Sequence, residues 1–298
     1  IYQSDNALPF SYTYDSCIRR ADYDKLSFIQ KQQAMMQSVV VDDNVSMTQS
    51  AITYTDFEVP IKVLKYHNLT YKDGQIIATK SNASITLSLS GILNKETYLS
   101  LENIHFTGKK KSTEYETPTS SKIIFRYSGN KKECLLASPG YSWYMGKHDY
   151  AINLGYMDTN SQEVKITFQR PGVYTFDAIK GICQPMDGLE ARVDALKEDT
   201  LQNVSFGTNS VTGSINLDQA KLLVLSIPFS DGWKAYVDGQ ETEILRVNTA
   251  YSGLNLDKGR HEIRLTYRTP YLNVGLIACG TGLLIWLGIA LYHRRRKN

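Results

Sequence analysis

The chain has 298 residues, 42% of them apolar and 21% charged, with 33 basic and 30 acidic side chains and a net charge of +3. Arg294, Arg295, Arg296 and Lys297, at the C-terminus, supply four of the positive charges, and the remainder is close to neutral. That balance excludes the basic face on which nucleic-acid binding depends, and the length accommodates two domains beside a membrane segment.

Residues 1–50 read as an N-terminal helical segment. Ser27-Phe-Ile-Gln30 is a capping box, in which the Ser hydroxyl and the Gln side chain satisfy opposing backbone donors. Gln30 to Gln37 is rich in Gln, Ala and Met, all good helix formers. A helix is therefore expected at about 22–38, with Val39-Val40-Val41 turning to strand. Asp22-Tyr-Asp24 matches the D-x-D pattern with which some sugar transferases hold a divalent metal. Its place in the first turn of the expected helix, where acids meet the positive end of the dipole, offers a structural reason instead.

Residues 51–186 are β-like. Ile85 to Ser90, Tyr98 to Glu102 and Glu163 to Phe168 alternate apolar and polar side chains, as half-buried strands do. Gly91, Gly108, Gly129, Gly155 and Gly172 punctuate at turn-like intervals, and Lys109–Ser112 reads as an exposed loop. A jelly-roll-like β-sandwich is expected here. Within it, Pro139 to Tyr150 gathers four large rings. Sugars bind by laying their C–H faces on such rings while neighbouring polar groups meet the hydroxyls. Tyr141, Trp143, Tyr144, Asp149 and Tyr150 are therefore candidate glycan-binding residues. The alternative is that these rings cap the core or pack against the neighbouring domain, where Tyr and Trp bury large areas.

The period changes at residues 187–203, a helical connector with Leu189, Val193, Leu196 and Leu201 toward one side. Residues 204–269 return to β as a small immunoglobulin-like sandwich. The apolar run from Ala220 to Pro228, the Trp233–Val237 strand, and a hairpin turn at Asp238-Gly239 into Glu241–Leu245 mark it. Asp231-Gly232-Trp233 reads as a turn followed by a Trp that covers this sandwich. Arg260 to Tyr267 alternates and leads into 270–292, a transmembrane helix. Val274 to Leu291 carries no charge and, at ~1.5 Å per residue, matches the ~30 Å hydrocarbon core. Thr269 is the expected N-cap and Pro270 the first helical residue. The basic tail, 293–298, is expected in the cytoplasm and residues 1–272 outside the cell. The chain opens at Ile1 without Met or a leader, so either a signal peptide was removed or this is the tail of a longer membrane protein.

Signatures of catalysis are absent: no G-x-S-x-G, H-E-x-x-H, Walker loop or dinucleotide fingerprint, and the five histidines have no ligand spacing. No catalytic residue, metal site or cofactor is assigned. Glu190/Asp194 and Glu198/Asp199 read as a solvated helix face. With Cys279 in the membrane segment, Cys17, Cys134 and Cys183 form no framework; one disulfide in any of three pairings or free thiols both fit. Asn44, Asn68, Asn82 and Asn203 match the glycosylation sequon, a pattern common by chance.

Several stretches together resemble the C-terminal end of the YfhO family of bacterial membrane proteins. They are Ser226 to Gly239, with Asp231-Gly-Trp233; Asn248 to Gly253; Leu256 to Ile263; and Tyr267-Arg-Thr-Pro270. Asn6 to Phe10, Tyr14-Asp15 and Ile29 to Ala34 resemble the start of that family's outer region. The resemblance implies a multi-spanning GT-C-type glycosyltransferase of Gram-positive bacteria. Such an enzyme transfers sugar from a polyprenyl-phosphate donor to cell-wall polymers such as lipoteichoic acid. Its catalytic acids would lie in the N-terminal membrane half, outside this sequence, so none is carried over. The expected partners are a cell-wall glycopolymer or lipid-linked sugar, the bilayer and upstream transmembrane helices, Ala278 and Gly282 suiting helix packing. Two other readings stay open: a membrane-anchored surface glycan-binding module without activity, and a structural lid without a ligand.

Overall fold

Period-two alternation dominates the chain, and the computed structural model turns it into a mainly β protein of several sheets with one long C-terminal apolar helix. The structure describes residues 4–42, 45, 47–49, 51–72, 74–108 and 120–297; the Asn44 sequon and the Lys109–Ser112 loop lie outside these. Two units separate. The first takes Ile1–Leu26, Lys31–Thr53 and Leu189–Asn298, the second Ser27–Gln30 and Tyr54–Gly188.

The first unit joins the two ends of the chain. Its seven-stranded sheet runs in the order Ser11–Tyr14, Lys221–Pro228, Tyr251–Leu256, Leu245–Val247, Val39–Val41, Ser16–Arg19, Thr48–Gln49. The described part of residues 1–50 thus carries four strands besides helix, where the sequence suggested a helical segment with strand only at Val39-Val40-Val41. Ser11 pairs with Leu225 and Tyr14 with Leu222 on one edge. On the other side, Val41 faces Val247. Local polar contacts fix this long-range register. Ser11 Oγ accepts from Leu201 N at 2.9 Å, Ser226 N donates to Phe10 O at 2.8 Å, and buried Asn248 Oδ1 accepts from Val40 N at 2.9 Å. Short strands such as Val39-Val40-Val41 show alternation too weakly to advertise their partners, because strand periodicity encodes a buried face and not a neighbour.

A second sheet of this unit orders Gln202–Gly207, Ser210–Leu217, Gly259–Tyr267, Trp233–Val237 and Gln240–Thr242. The Asp238-Gly239 hairpin forms, both residues having positive φ (53° and 84°) as a tight primed turn requires. The following strand ends at Thr242 rather than continuing to Leu245, which crosses into the seven-stranded sheet. Asp238 Oδ2 lies 2.8 Å from His261 Nδ1, which raises the pKa of the imidazole, while the hydrogen bond from Glu262 N does most to lower that of Asp238. Leu223, Leu225, Ala235, Leu254 and Leu265 are fully buried in the core beneath, and Trp233 packs against it as expected. The helix Leu189–Lys197 buries Val193 and Leu196, with Leu196 in a further cluster beside Tyr12, Tyr14, Leu222 and Val224.

The capping box is formed: Ser27 N donates to Gln30 Oε1 at 3.1 Å and Gln30 N to Ser27 Oγ at 3.2 Å. It also explains why the helix is Phe28–Met35 and not 22–38. An N-cap residue leaves helical geometry, so the one-turn helix Arg20–Tyr23 stands apart.

Three antiparallel sheets build the second unit. One runs Asn130–Ala137, Ser120–Tyr127, Ser161–Phe168, Ala83–Ser90, Ile61–His67. Another runs Tyr150–Met157, Lys95–Glu102, Ala178–Pro185, Phe57–Val59. The last runs His105–Gly108, Gly172–Thr175, Gln75–Ala78, Leu69–Lys72. Phe125, Phe168, Leu99, Ile166 and Tyr174 are fully buried at their shared core. Tyr174 donates its hydroxyl to Arg170 O at 2.7 Å and sits 2.6 Å from Ser121 Oγ, so this deep phenol is satisfied.

The C-terminal helix spans Leu272–Lys297, and its apolar side chains are exposed around the whole circumference. It opens two residues later than Thr269-Pro270 suggests. Tyr271 has φ 60° and Leu272 N donates to Thr269 O at 3.3 Å. Pro at the second position and a positive φ at the third make this a type II turn, which uses the fixed φ of proline before the helix rather than inside it. The four cysteines are free; Cys17 and Cys183 are buried, and burial pushes the Cys134 thiol up to about 11. Asn68, Asn82 and Asn203, each heading a sequon, all have positive φ, so backbone turns give reason enough for Asn at these positions.

Candidate functional site

Between the strands Asn130–Ala137 and Tyr150–Met157 the chain makes two successive turns. Tyr141 N donates to Ser138 O at 3.1 Å, with Pro139 setting φ and Gly140 taking a φ of 84°. Tyr144 N then donates to Tyr141 O at 2.9 Å. Stacked turns thrust the tip outward. Trp143 is 71% exposed, Tyr144 is exposed, and Tyr141 is half-buried at the base. An indole this exposed does not cap the core of its own unit.

Tyr150 goes the other way, and it leaves the candidate set. It is 9% exposed, and its hydroxyl is shared between Leu135 O at 2.8 Å and Lys147 O at 3.3 Å. It opens a strand in which Ile152, Leu154 and Met157 are also buried. That alternation, visible as Tyr-Ala-Ile-Asn-Leu, was the signal that its ring faces the core. Burial raises its pKa. Asp149 is exposed, but its Oδ1 accepts from Asn103 N at 2.9 Å, so its first role is to hold a turn.

That turn leads to a cluster that sequence spacing does not reveal. Asn103 Nδ2 donates to Asp177 Oδ2 at 3.1 Å, which leaves Asn103 Oδ1 to accept from His105 Nε2 at 2.8 Å. His148 Nδ1 faces Ile104 O at 3.3 Å, and a carbonyl can only accept, so Nδ1 carries the proton. The two imidazoles stack with centroids 4.0 Å apart, and the Tyr144 ring lies 6.3 Å from His148. Beside them is a cavity of about 240 Å³ whose wall includes Phe106, Ser138, Lys147 and both histidines. Phe106 also packs on the core Tyr174, 4.8 Å between centroids, so this wall is anchored. The fixed tautomers leave His105 Nδ1 and His148 Nε2 as the ring nitrogens still able to meet a ligand. As acceptors they suit a hydroxyl donor, to whose oxygen the neighbouring Lys147 ammonium can donate. Forty-three positions separate the histidines, and only strand pairing brings them together.

The acidic pairs noticed in the sequence are spent on structure or face solvent. Asp22 pairs with Lys25 at 2.9 Å, and Asp199 with Lys221 at 2.7 Å. Glu190 and Asp194 are exposed on their helix. Among the described residues no group of three or more His, Cys, Asp or Glu is placed to hold a metal ion.

The bacterial membrane protein YfhO family matches residues 1–278. YfhO of Bacillus subtilis (strain 168), an uncharacterized protein, is 23% identical over 310 residues, taking in 100% of this chain and 32% of the relative. The chain thus spans about a third of the length of that relative. Among solved structures, a family GH115 4-O-methyl-α-glucuronidase with specificity for decorated arabinogalactans is 11% identical, with TM-score 0.27 over 47% of this chain and 19% of that one. A family GH86 β-porphyranase of the gut bacterium Bacteroides plebeius is 9% identical, with TM-score 0.16 over 73% and 35%. Likenesses at these scores carry no argument about fold or function. The match across nearly the whole sequence, with the Asp231-Gly232-Trp233 stretch and the membrane helix inside or overlapping it, does: the chain belongs to the YfhO family of bacterial membrane proteins.

Proposed function

We propose that this chain is the outer accessory region of a multi-spanning membrane glycosyltransferase. The whole enzyme would add sugars from a polyprenyl-phosphate donor to a cell-wall polymer such as lipoteichoic acid. Residues 1–272 face outward, the basic tail is cytoplasmic, and the loop around Trp143 contacts the sugars of the polymer. The observation that carries the binding part is an indole 71% exposed at the tip of two stacked turns, beside a cavity rich in hydrogen-bonding groups. A large apolar ring held in water on a constrained loop favours a partner with an apolar face, and sugar rings present one. The chain itself transfers nothing. A lipid-linked donor needs polar groups buried between several membrane helices, and a single helix has no such interior.

Trp143→Ala, in the full chain reconstituted in nanodiscs, should weaken binding to lipoteichoic acid. The expected loss is about 1–3 kcal/mol, if stacking on sugars is of the size seen on nucleobases, or roughly 5- to 150-fold in Kd. The melting temperature should hardly move, because the ring adds little to the core. Unchanged binding, or a large fall in melting temperature, would remove the loop from the proposal. The competing reading, a surface glycan-binding module without activity, draws on the same loop. Sugar transfer to the polymer by the full-length protein separates the two.

A further inference from the structure

Where the strand Gly259–Tyr267 runs down into the membrane helix, a groove of about 550 Å³ opens within the first unit. Lys234, Thr266, Arg268 and Thr269 line its polar part, and Leu272 and Val274 its apolar lip. The frame is fixed: Arg268 N donates to Gly232 O at 2.8 Å, and the Trp233 and Tyr267 rings lie 5.0 Å apart beside it. Arg268 Nη2 donates to Asn273 Oδ1 at 2.6 Å, a neutral oxygen, and among the described residues no carboxylate pairs with this guanidinium. Lys234 is paired with Glu241 at 2.8 Å, both side chains more than half exposed, so that pair opens at little cost.

The depth of the groove is set by the sequence. Val274, the first residue of the uncharged run, is on its lip, and Arg268 precedes it by six positions. The groove therefore straddles the level at which hydrocarbon gives way to headgroups, and the 85% exposed Tyr271 sits at the same level, where interfacial aromatics belong. Along the chain the lining passes from Arg268 and Thr269 to Leu272 and Val274, the order of chemical groups in a phospholipid that enters the bilayer beside them. A guanidinium is also the side chain best shaped for phosphate oxygens. Asp231 also lines the groove, and because its carboxylate repels phosphate the headgroup has to lie against Arg268 and away from Asp231.

We infer that this groove is a phospholipid site: it holds the phosphate of a lipid in the leaflet facing the β units, with Arg268 as its main contact and Lys234 as a second. The inference needs only a membrane-crossing helix and does not depend on the transferase proposal. It is tested on the full chain in detergent, in a background where Arg294, Arg295 and Arg296 are changed to Gln so that the tail contributes no lipid binding. Native mass spectrometry would count retained phosphatidylglycerol or, in a parallel arm, diacylglycerol with the same acyl chains. Phosphatidylglycerol should be retained and diacylglycerol lost. Arg268→Gln should reduce retention roughly tenfold or more, the scale of one charge-assisted hydrogen bond, and Arg268→Lys should restore part of it. Lys234→Gln, at an exposed strand position, gives an independent reading if Arg268→Gln folds poorly, and should weaken retention several-fold. Equal retention by the variants, or equal retention of diacylglycerol, would overturn the site. Displacement by excess inorganic phosphate would overturn the lipid as its occupant.

Discussion

A chain that begins at Leu189 should fail to fold, although it contains the whole of the small β module and the membrane helix. Three of its strands, Lys221–Pro228, Tyr251–Leu256 and Leu245–Val247, lie in the middle of a sheet whose two flanks come from residues 11–49. Removing the flanks strips the pairing from Ser11–Tyr14 and Val39–Val41. It also uncovers Leu222 and Val224, which are fully buried beneath Tyr12, Tyr14, Val39 and Val41. At about 1.5–3 kcal/mol for each large apolar side chain, uncovering these two alone costs roughly 3–6 kcal/mol. That is a large share of the ~5–15 kcal/mol by which a domain is stable. Unpaired Lys221–Pro228 would in addition present an apolar edge prone to association. The check is thermal or denaturant unfolding in detergent, followed by a probe in the β module such as Trp233 fluorescence. The full chain should unfold cooperatively, and the truncated chain should aggregate or lack a transition. A cooperative transition in the truncated chain would mean that the end-to-end pairing is dispensable.

The next largest effect is expected from a single methyl group. A Cβ on Gly232 would stand 2.5 Å from Tyr267 Cε2 and 2.6 Å from Arg268 O. One neighbour is a ring already packed on Trp233, the other a main-chain atom held by the Arg268 N to Gly232 O bond. Neither yields cheaply. The backbone of Gly232 is not in the left-handed region, so the cost is one of space and not of conformation. Gly232→Ala should destabilise the first unit by about 2–3 kcal/mol, the upper part of the overpacking range. Gly239→Ala, where a Cβ meets nothing but φ is 84°, should cost about 1–2 kcal/mol. Denaturant midpoints of the two variants test this; a Gly232→Ala loss no larger than that of Gly239→Ala would contradict the steric account. The Asp231-Gly232-Trp233 motif is thus explained by packing at the foot of the β unit.

How much was legible in the sequence depends on the range of the interaction that decides each feature. The Ser27–Gln30 capping box, the Asp238-Gly239 hairpin, the helix over Val193 and Leu196 and the membrane helix are all set by residues within a few positions of one another. Each could be read from spacing alone. Pairing of Ser11–Tyr14 with Lys221–Pro228 is set across some 200 residues, and nothing in Ser-Tyr-Thr-Tyr names its partner. The same holds at the candidate site. Exposure of Trp143 follows from local turn residues Pro139 and Gly140, whereas the stacked His105 and His148 meet only because the strand before the first, Lys95–Glu102, pairs with the strand after the second, Tyr150–Met157. Tyr150 was misplaced by composition: four rings in one stretch suggested one surface, while the alternation that starts at Tyr150 already assigned it to the core. The jog at Tyr271 came from proline chemistry, in which the same Thr-Pro pair that opens a helix also opens a type II turn.

Whether the β units stand outside the cell decides between this account and any other most directly. In a cysteine-free version of the full-length protein, single cysteines at Lys131 and Arg295 would be probed on intact cells with a membrane-impermeant maleimide. Lys131 lies on an exposed strand of the second unit, and Arg295 lies beyond the apolar run. The account requires Lys131→Cys to be labelled on intact cells and Arg295→Cys only after the membrane is permeabilised. Labelling of Arg295→Cys alone on intact cells would place the tail outside and the aromatic loop in the cytoplasm, away from any cell-wall polymer.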